Sequence, residues 1–352
     1  MKNILFLDGV SPYKYDFNII KTKGIGASEG YLLYLAEQLV QENNNVVISQ
    51  KHYQVGEENT QKGVVFLPFN TELIKEYGEY DTIIIQRHPY LIHEVKRIFP
   101  KSKIIVWLHD FFEGSVYAQM NKEELKEFFT LATFVCVSNW HRNNFYINLK
   151  LRGIKYSEIN ITYNHFFIPE PEIKNKLPYD KNKLCFFSAG HKGFDFTLKT
   201  FKQLHQINPD FRLYIANPTY DQSYKVEQSE NSPVINLDNL TRNDVCNHLQ
   251  SSLCALHLNK IYPETFGCVN AEANLMGTPV LCYDLGATKE VLDFPYYNKQ
   301  FIKSNEYRHD PDNILTIIET ILYWHEVHRP IISLNNNIDK RKILKRWIEI
   351  IS

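Results

Sequence analysis

The chain lacks long hydrophobic runs, is poor in sulfur and carries almost no net charge. No apolar stretch approaches the ~18 residues that a membrane-spanning helix needs, so no such helix is expected. The net charge is −1 over 352 residues, which argues against a global field that recruits nucleic acid. None of the six cysteines forms a Cys-x-x-Cys pair, and no His/Cys cluster has zinc spacing, so no metal site is expected. Several cysteines sit in apolar strand-like runs and read as reduced core residues, as in a cytoplasmic protein. The start, Met1 to Asp8, reads as a short strand and not as a signal peptide.

What is present is material for two cores. Apolar residues make up 44% of the chain, with 22 Tyr and 22 Phe, and the length suits two domains of ordinary size. Short apolar runs alternate with helical patterns throughout. Strands are expected at 4–7, 46–49, 64–68, 82–86, 103–108, 134–138 and 159–163, with helices near 29–41, 90–99, 122–131 and 139–149. From 168 to 183 the texture changes to three prolines among many charges, which reads as a linker. Strands and helices then resume. The expected organisation is an α/β fold with Rossmann-like domains over 1–168 and 184–330, a linker over 169–183 and a terminal helix within 331–352. Ligands would bind at the carboxyl ends of strands, in a cleft between the domains.

The richest segment runs from Pro263 to Val280. Glu264 lies on a loop before Gly267, and Glu272 lies about one turn inside a helix that Gly277 and Pro279 end. At eight positions apart the two acids fall within about 80° on a 3.6-residue wheel, so both can face one side. Gly267 lets a ligand approach backbone N–H groups at a helix start, where anions bind well. Ser188-Ala189-Gly190-His191-Lys192-Gly193 ends another strand and offers a lysine on a glycine-flanked loop, suited to a diphosphate. Trp107-Leu108-His109-Asp110 places a His-Asp pair at a strand's carboxyl end. Gly26-Ala27 opens a helix with small residues. The glycine run that contains it starts at Gly24, too late after the first strand, by roughly 16 residues, for a dinucleotide fingerprint. Ser138 or Asn139 reads as a helix cap. The acids of His309-Asp310-Pro311-Asp312 read as capping residues before a long helix and not as metal ligands. A Ser-His-Asp hydrolase is not expected. In the last segment Ile343, Leu344, Trp347 and Ile351 form an apolar stripe, with Lys340, Arg341, Lys345 and Arg346 on the other side. That pattern suits a helix packing back across the domains; the alternative is peripheral contact with an anionic membrane.

Taken in order, these pieces resemble the retaining glycosyltransferases of family 4, group 1 enzymes with the GT-B fold of two Rossmann-like domains. The resemblance spans nearly the whole chain. Gly26-Ala27-Ser28-Glu29 is similar to that family's Gly-Gly-x-Glu helix start, with Ala27 for the second glycine. His109, Ser138, Asn164 and Lys192-Gly193 match further motif positions, and His165 stands where the family has glycine. Glu264 and Glu272 match its Glu-x7-Glu, and Gly277-Thr278-Pro279-Val280 with Glu290 match the segment after it. The family also has an arginine about five residues before the motif lysine; here Phe187 occupies that place.

The resemblance implies a hexosyltransferase, as in polysaccharide biosynthesis, that moves a sugar from a nucleotide-diphosphate sugar to a glycan, glycolipid or protein acceptor, with retention and without a metal or other cofactor. It implies catalytic roles for Glu264, Lys192 and His109. It assigns donor binding to Gly26, Ala27, Lys192, Thr265, Phe266, Gly267, Cys268 and Glu272, the last through ribose hydroxyls. The acceptor would belong to the N-terminal domain and the nucleotide sugar to the C-terminal one. The alternatives are a GT-B-fold epimerase or phosphorylase, and a carbohydrate-binding relative without activity.

Overall fold

Runs of Ile and Val with no polar interruption, such as Ile83-Ile84-Ile85, are buried completely, as expected for strands covered on both faces of a parallel sheet. The computed structural model describes residues 1–217, 231–238, 240–293, 300, 302 and 312–352, with the side chains of 312 and 313 excepted. Of the 309–312 run, Asp310 and the side chain of Asp312 lie outside what is described.

The chain divides into two units. The first comprises 1–19, 27–167 and 340–352, and the second 20–26 and 168–339. The first contains β1 (Asn3–Asp8), α1 (Ala27–Gln41), β2 (Asn45–Gln50), β3 (Asn59–Gln61), β4 (Val64–Pro68), α2 (Thr71–Tyr77), β5 (Thr82–Gln86), α3 (Ile92–Ile98), β6 (Lys103–Trp107), α4 (Lys122–Leu131), β7 (Thr133–Cys136), α5 (Asn139–Leu151) and β8 (Ile161–Tyr163). Its sheet has the order β3-β4-β2-β1-β5-β6-β7-β8, with only β3 antiparallel to its neighbour among the described strands. Strand order runs outward in both directions from β1 and β5, so the topological switch point lies between their carboxyl ends, where doubly wound sheets bind ligands.

The second unit contains β9 (Asp180–Phe186), α6 (Phe194–Ile207), β10 (Arg212–Ile215), β11 (Val234–Asn236), α7 (Arg242–Gln250), β12 (Ser252–His257), α8 (Cys268–Leu275), β13 (Val280–Cys282), α9 (Thr288–Val291) and α10 (Asp312–Glu326). Its sheet order is β11-β10-β9-β12-β13, which puts the switch point between β9 and β12. Apolar clusters cover both faces, one around Phe186, Leu213 and Ile317, the other around Cys185, Ala255 and Ala273.

Three elements differ from expectation. The strand β9 begins at Asp180, inside the stretch that composition marks as linker. Charged letters conceal it. Lys183 is buried, and its Nζ lies 2.8 Å from His248 Nδ1 and donates to Ser251 Oγ at 2.7 Å, so its polar end is satisfied inside the unit. The short strand β3 and the helix α2 carry too little periodicity to be read from sequence. α2 is fixed instead by its cap, where Asn70 Oδ1 accepts from the backbone N–H of Glu72 and Leu73.

The last helix, α11 (Lys340–Ile351), belongs to the first unit. Its stripe of Ile343, Leu344, Trp347 and Ile351 is buried. Trp347 meets Trp107 edge-on at 4.9 Å, and Asn164 donates to the Ile343 carbonyl at 2.9 Å. The apolar stripe is therefore occupied by the protein's own core and does not face a bilayer. Arg346 also packs inward, donating to Thr162 Oγ1 and lying over the Tyr163 ring, while Lys340, Arg341 and Lys345 stay exposed. Among the described residues no helix is long and apolar enough to cross a membrane. All six cysteines are free thiols, and five are buried.

Candidate active site

In the second unit the segments after β9 and β12 converge at the switch point. The chain leaves β9 through 187–193, and Gly193 caps α6 at φ +93°. A Cβ on Gly193 would lie 2.6 Å from the Leu258 carbonyl oxygen and 2.9 Å from Asn259 N. Only glycine lets these two loops touch. That contact brings Lys192 to Glu264, with Nζ 2.9 Å from Oε1 and 3.1 Å from Oε2.

The Glu264 backbone is held on its other side. It forms a parallel bridge with Gly286, and its carbonyl accepts from Ala287 N–H at 2.8 Å. His257, the last residue of β12, places Nε2 3.2 Å from Glu264 Oε1. Burial pushes the Glu264 carboxyl up, but the Lys192 ammonium and His257 outweigh it and hold the acid well below its ordinary 4.5. Glu264 is thus an anion with its side chain 12% exposed, beside a cation that remains 27% exposed.

Gly267, at φ +90°, turns the chain into α8. The first amide groups of that helix have no intrahelical acceptors and carry partial positive charge. Phe266 is buried beneath the turn. Cys268 is partly exposed, and burial first, then Glu272 and Glu264, raises its thiol well above the ordinary range, so it stays a thiol. Glu272 is buried in α8, and Oε1 accepts from Arg242 Nε at 2.7 Å. Arg242 Nη2 also donates to the Pro169 carbonyl at 2.6 Å. The acid expected to hold ribose is therefore braced by an arginine from the start of α7.

His109 belongs to the first unit. Its ring is buried against Phe166, 5.5 Å away and nearly parallel, and Nε2 lies 2.7 Å from Gln86 Oε1. Burial, then the charges of Arg87 and His141, depress its pKa well below 6.5, so it is neutral. Close by in sequence, Arg87 adopts φ +61° at the end of β5. Its Nη2 donates to Ser28 Oγ and lies 3.6 Å from Glu29 Oε1. Burial raises the Glu29 carboxyl above 4.5 although Arg87 opposes it. Gly26 is buried and groups with the second unit, and Ala27 is exposed at the first position of α1.

Residues 26–30 do spell Gly-x-Ser-x-Gly. They form no nucleophile elbow, which requires a direct strand-to-helix turn. Ser28 lies inside α1, far along the chain from β1, and its Oγ donates to Glu29 Oε2 at 3.0 Å. Ser138 is a helix cap, accepting from His141 N–H at 3.0 Å. Among the described residues no three His, Cys, Asp or Glu side chains gather as metal ligands.

Of the residues that sequence reasoning singled out, the fold brings together Lys192, Glu264 and the turn at Gly267. Sequence reasoning assigned no role to Arg242, His257 or Arg87. No motif marks them, and only the end-of-strand positions of His257 and Arg87 offered a signal.

Comparison with known proteins gives the class of this architecture. Residues 169–320 match the family model of glycosyl transferases group 1. No curated protein matches the sequence. Among solved structures the chain is similar to TarM, with TM-score 0.66 and 11% identity over 100% of this chain and 99% of that one. It is similar to sucrose-phosphate synthase from Thermosynechococcus elongatus, with TM-score 0.64 and 12% identity over 100% and 96%. An α-glucosyltransferase in complex with UDP-glucose and abasic DNA gives TM-score 0.55 and 12% identity over 99% of each chain. At these identities the likeness establishes the fold, which is that of GT-B glycosyltransferases.

Proposed function

We propose that this protein is a retaining glycosyltransferase that moves a hexose from a nucleotide-diphosphate sugar to a glycan, glycolipid or protein acceptor, without a metal ion. The observation that carries this reading is the Lys192–Glu264 pair at the switch point of the second unit, beside the opening turn of α8. A departing diphosphate needs positive charge fixed in advance where negative charge develops. The Lys192 ammonium and the first N–H groups of α8 supply it in this reading, the role a divalent cation plays elsewhere.

Glu264, kept ionised by its partners, orients the hydroxyls of the donor sugar and favours positive charge at the anomeric carbon. When the diphosphate competes for Lys192, the ammonium shifts from one anion toward the other over a short distance. Glu272, braced by Arg242, accepts hydrogen bonds from ribose hydroxyls. His109, neutral in its buried place, keeps in this reading the catalytic role that the resemblance implies. The acceptor attacks from the face the diphosphate leaves, so the anomeric configuration is retained.

The test is release of nucleoside diphosphate from UDP- and GDP-sugars, with and without EDTA. Lys192→Ala and Glu264→Gln should each lower turnover by at least about tenfold while melting stays cooperative. EDTA should leave turnover intact. Near-normal turnover in both variants would remove the assigned site, and loss in EDTA would remove metal independence.

A further inference from the structure

Asn270, in the first turn of α8, is 1% exposed. Neither its amide nitrogen nor its amide oxygen has a hydrogen-bond partner among the described residues. An amide closed off from water with both ends unsatisfied is costly, and native proteins rarely leave one so. The phenol oxygen of Tyr283, just beyond β13, is buried and unpartnered in the same way. Both residues line one small cavity that Glu264 also borders.

Two of the other polar walls of this cavity are already satisfied, while His257 Nε2 and Glu264 Oε1 face each other across 3.2 Å. Asn259 Oδ1 accepts from the N–H groups of Ile261 and Tyr262, and Thr288 Oγ1 donates to the Leu285 carbonyl. The space holds about one water-sized group and opens partly to the outside. A hexose ring does not fit; a single hydroxyl does. A hydroxyl both donates and accepts, which is what an amide oxygen and an amide nitrogen together answer.

We propose that Asn270 and Tyr283 form a subsite that receives one hydroxyl of the donor sugar beside Glu264, and that this subsite selects which hexose is transferred. The proposal rests on the glycosyl-transfer reading above. A site built to bond a hydroxyl rejects an analogue that lacks it, because the buried partners are then left bare. An ordered water shares the chemistry of a hydroxyl, so the test separates the two.

A panel of UDP-glucose, UDP-galactose, UDP-N-acetylglucosamine and GDP-mannose is first screened for nucleoside diphosphate release. Monodeoxy analogues of the accepted donor are then compared in the wild type, Asn270→Leu and Tyr283→Phe. Asn270→Leu keeps the branched shape and Tyr283→Phe removes one oxygen, so at least one variant should fold, as checked by melting. At one ring position the wild type should lose about 100-fold or more in kcat/KM with the deoxy donor. In the folded variants that loss should shrink to less than about tenfold, because the variants handicap only the complete donor.

A deoxy penalty of the same size in wild type and variants would overturn the subsite, and so would the absence of any penalty. A donor-bound crystal structure with a water in the cavity and every sugar hydroxyl elsewhere would also overturn it. If turnover is present, those outcomes leave the transferase reading standing. Failure of every nucleotide sugar in the panel to bind or react would bring down both.

Discussion

Gly286 gives the sharpest test of how the site is held. It sits at φ +73°, and an alanine Cβ there would lie 2.5 Å from Glu264 N and closer still to the Glu264 carbonyl oxygen. Gly277, in the same unit, has φ +71°, but its Cβ would lie 3.7 Å from the nearest neighbour, the Ile332 carbonyl oxygen. Gly277→Ala therefore carries only the left-handed backbone cost, about 1–2 kcal/mol. Gly286→Ala carries the same cost plus backbone displacement, roughly 1–3 kcal/mol more by analogy with overpacked cores. In a unit of this size about 2 kcal/mol separates melting temperatures by roughly 4–8 °C. The relief route is displacement of the Glu264 backbone from its place beside Lys192. A misplacement of about 1 Å can lower turnover about 100-fold. Differential scanning calorimetry and nucleoside diphosphate release on both variants test this. If the two alanine variants melt within about 2 °C of each other and turn over equally, the Gly286 clamp does not position Glu264.

Two further predictions concern the first unit. Trp347→Ala should cost about 3–5 kcal/mol by emptying the contact with Trp107, and limited proteolysis should then release α11 at protease levels the wild type resists. Arg87→Ala leaves Glu29, whose folded pKa is already raised by burial, without its opposing cation. A raised folded pKa means that stability is full below the unfolded value and falls as pH rises through the folded one. The variant should therefore lose more stability at pH 8 than at pH 5, as read by urea unfolding at both; equal losses would show that the Arg87 charge does not act on Glu29.

Legibility in the sequence followed the physics of each element. Strands covered on both faces, such as β1 and β5, announce themselves because only unbroken apolar runs survive there. β9 was concealed because Lys183 is buried yet satisfied by His248 and Ser251, a solution that no strand pattern contains. Lys192 and Glu264 were legible because glycines at 193 and 267 mark loops that must approach something closely. Arg242 was not. Its role depends on Glu272 and Pro169, which are far from it in the chain, and local sequence carries no record of such a partner.

By itself the sequence determined the alternation of buried strands and helices, and the glycine-flanked loops that hold Lys192 and Glu264. These follow from local rules: side-chain period, backbone freedom and the need to bury apolar surface. Tertiary structure alone decided which charges meet. It set His257 against Glu264 and Arg242 against Glu272, committed the stripe of α11 to the first unit's core, and closed Asn270 and Tyr283 around one small space. Those outcomes depend on sheet order and loop contact between segments far apart in the chain, where ion pairing and desolvation are settled by distance and not by sequence spacing.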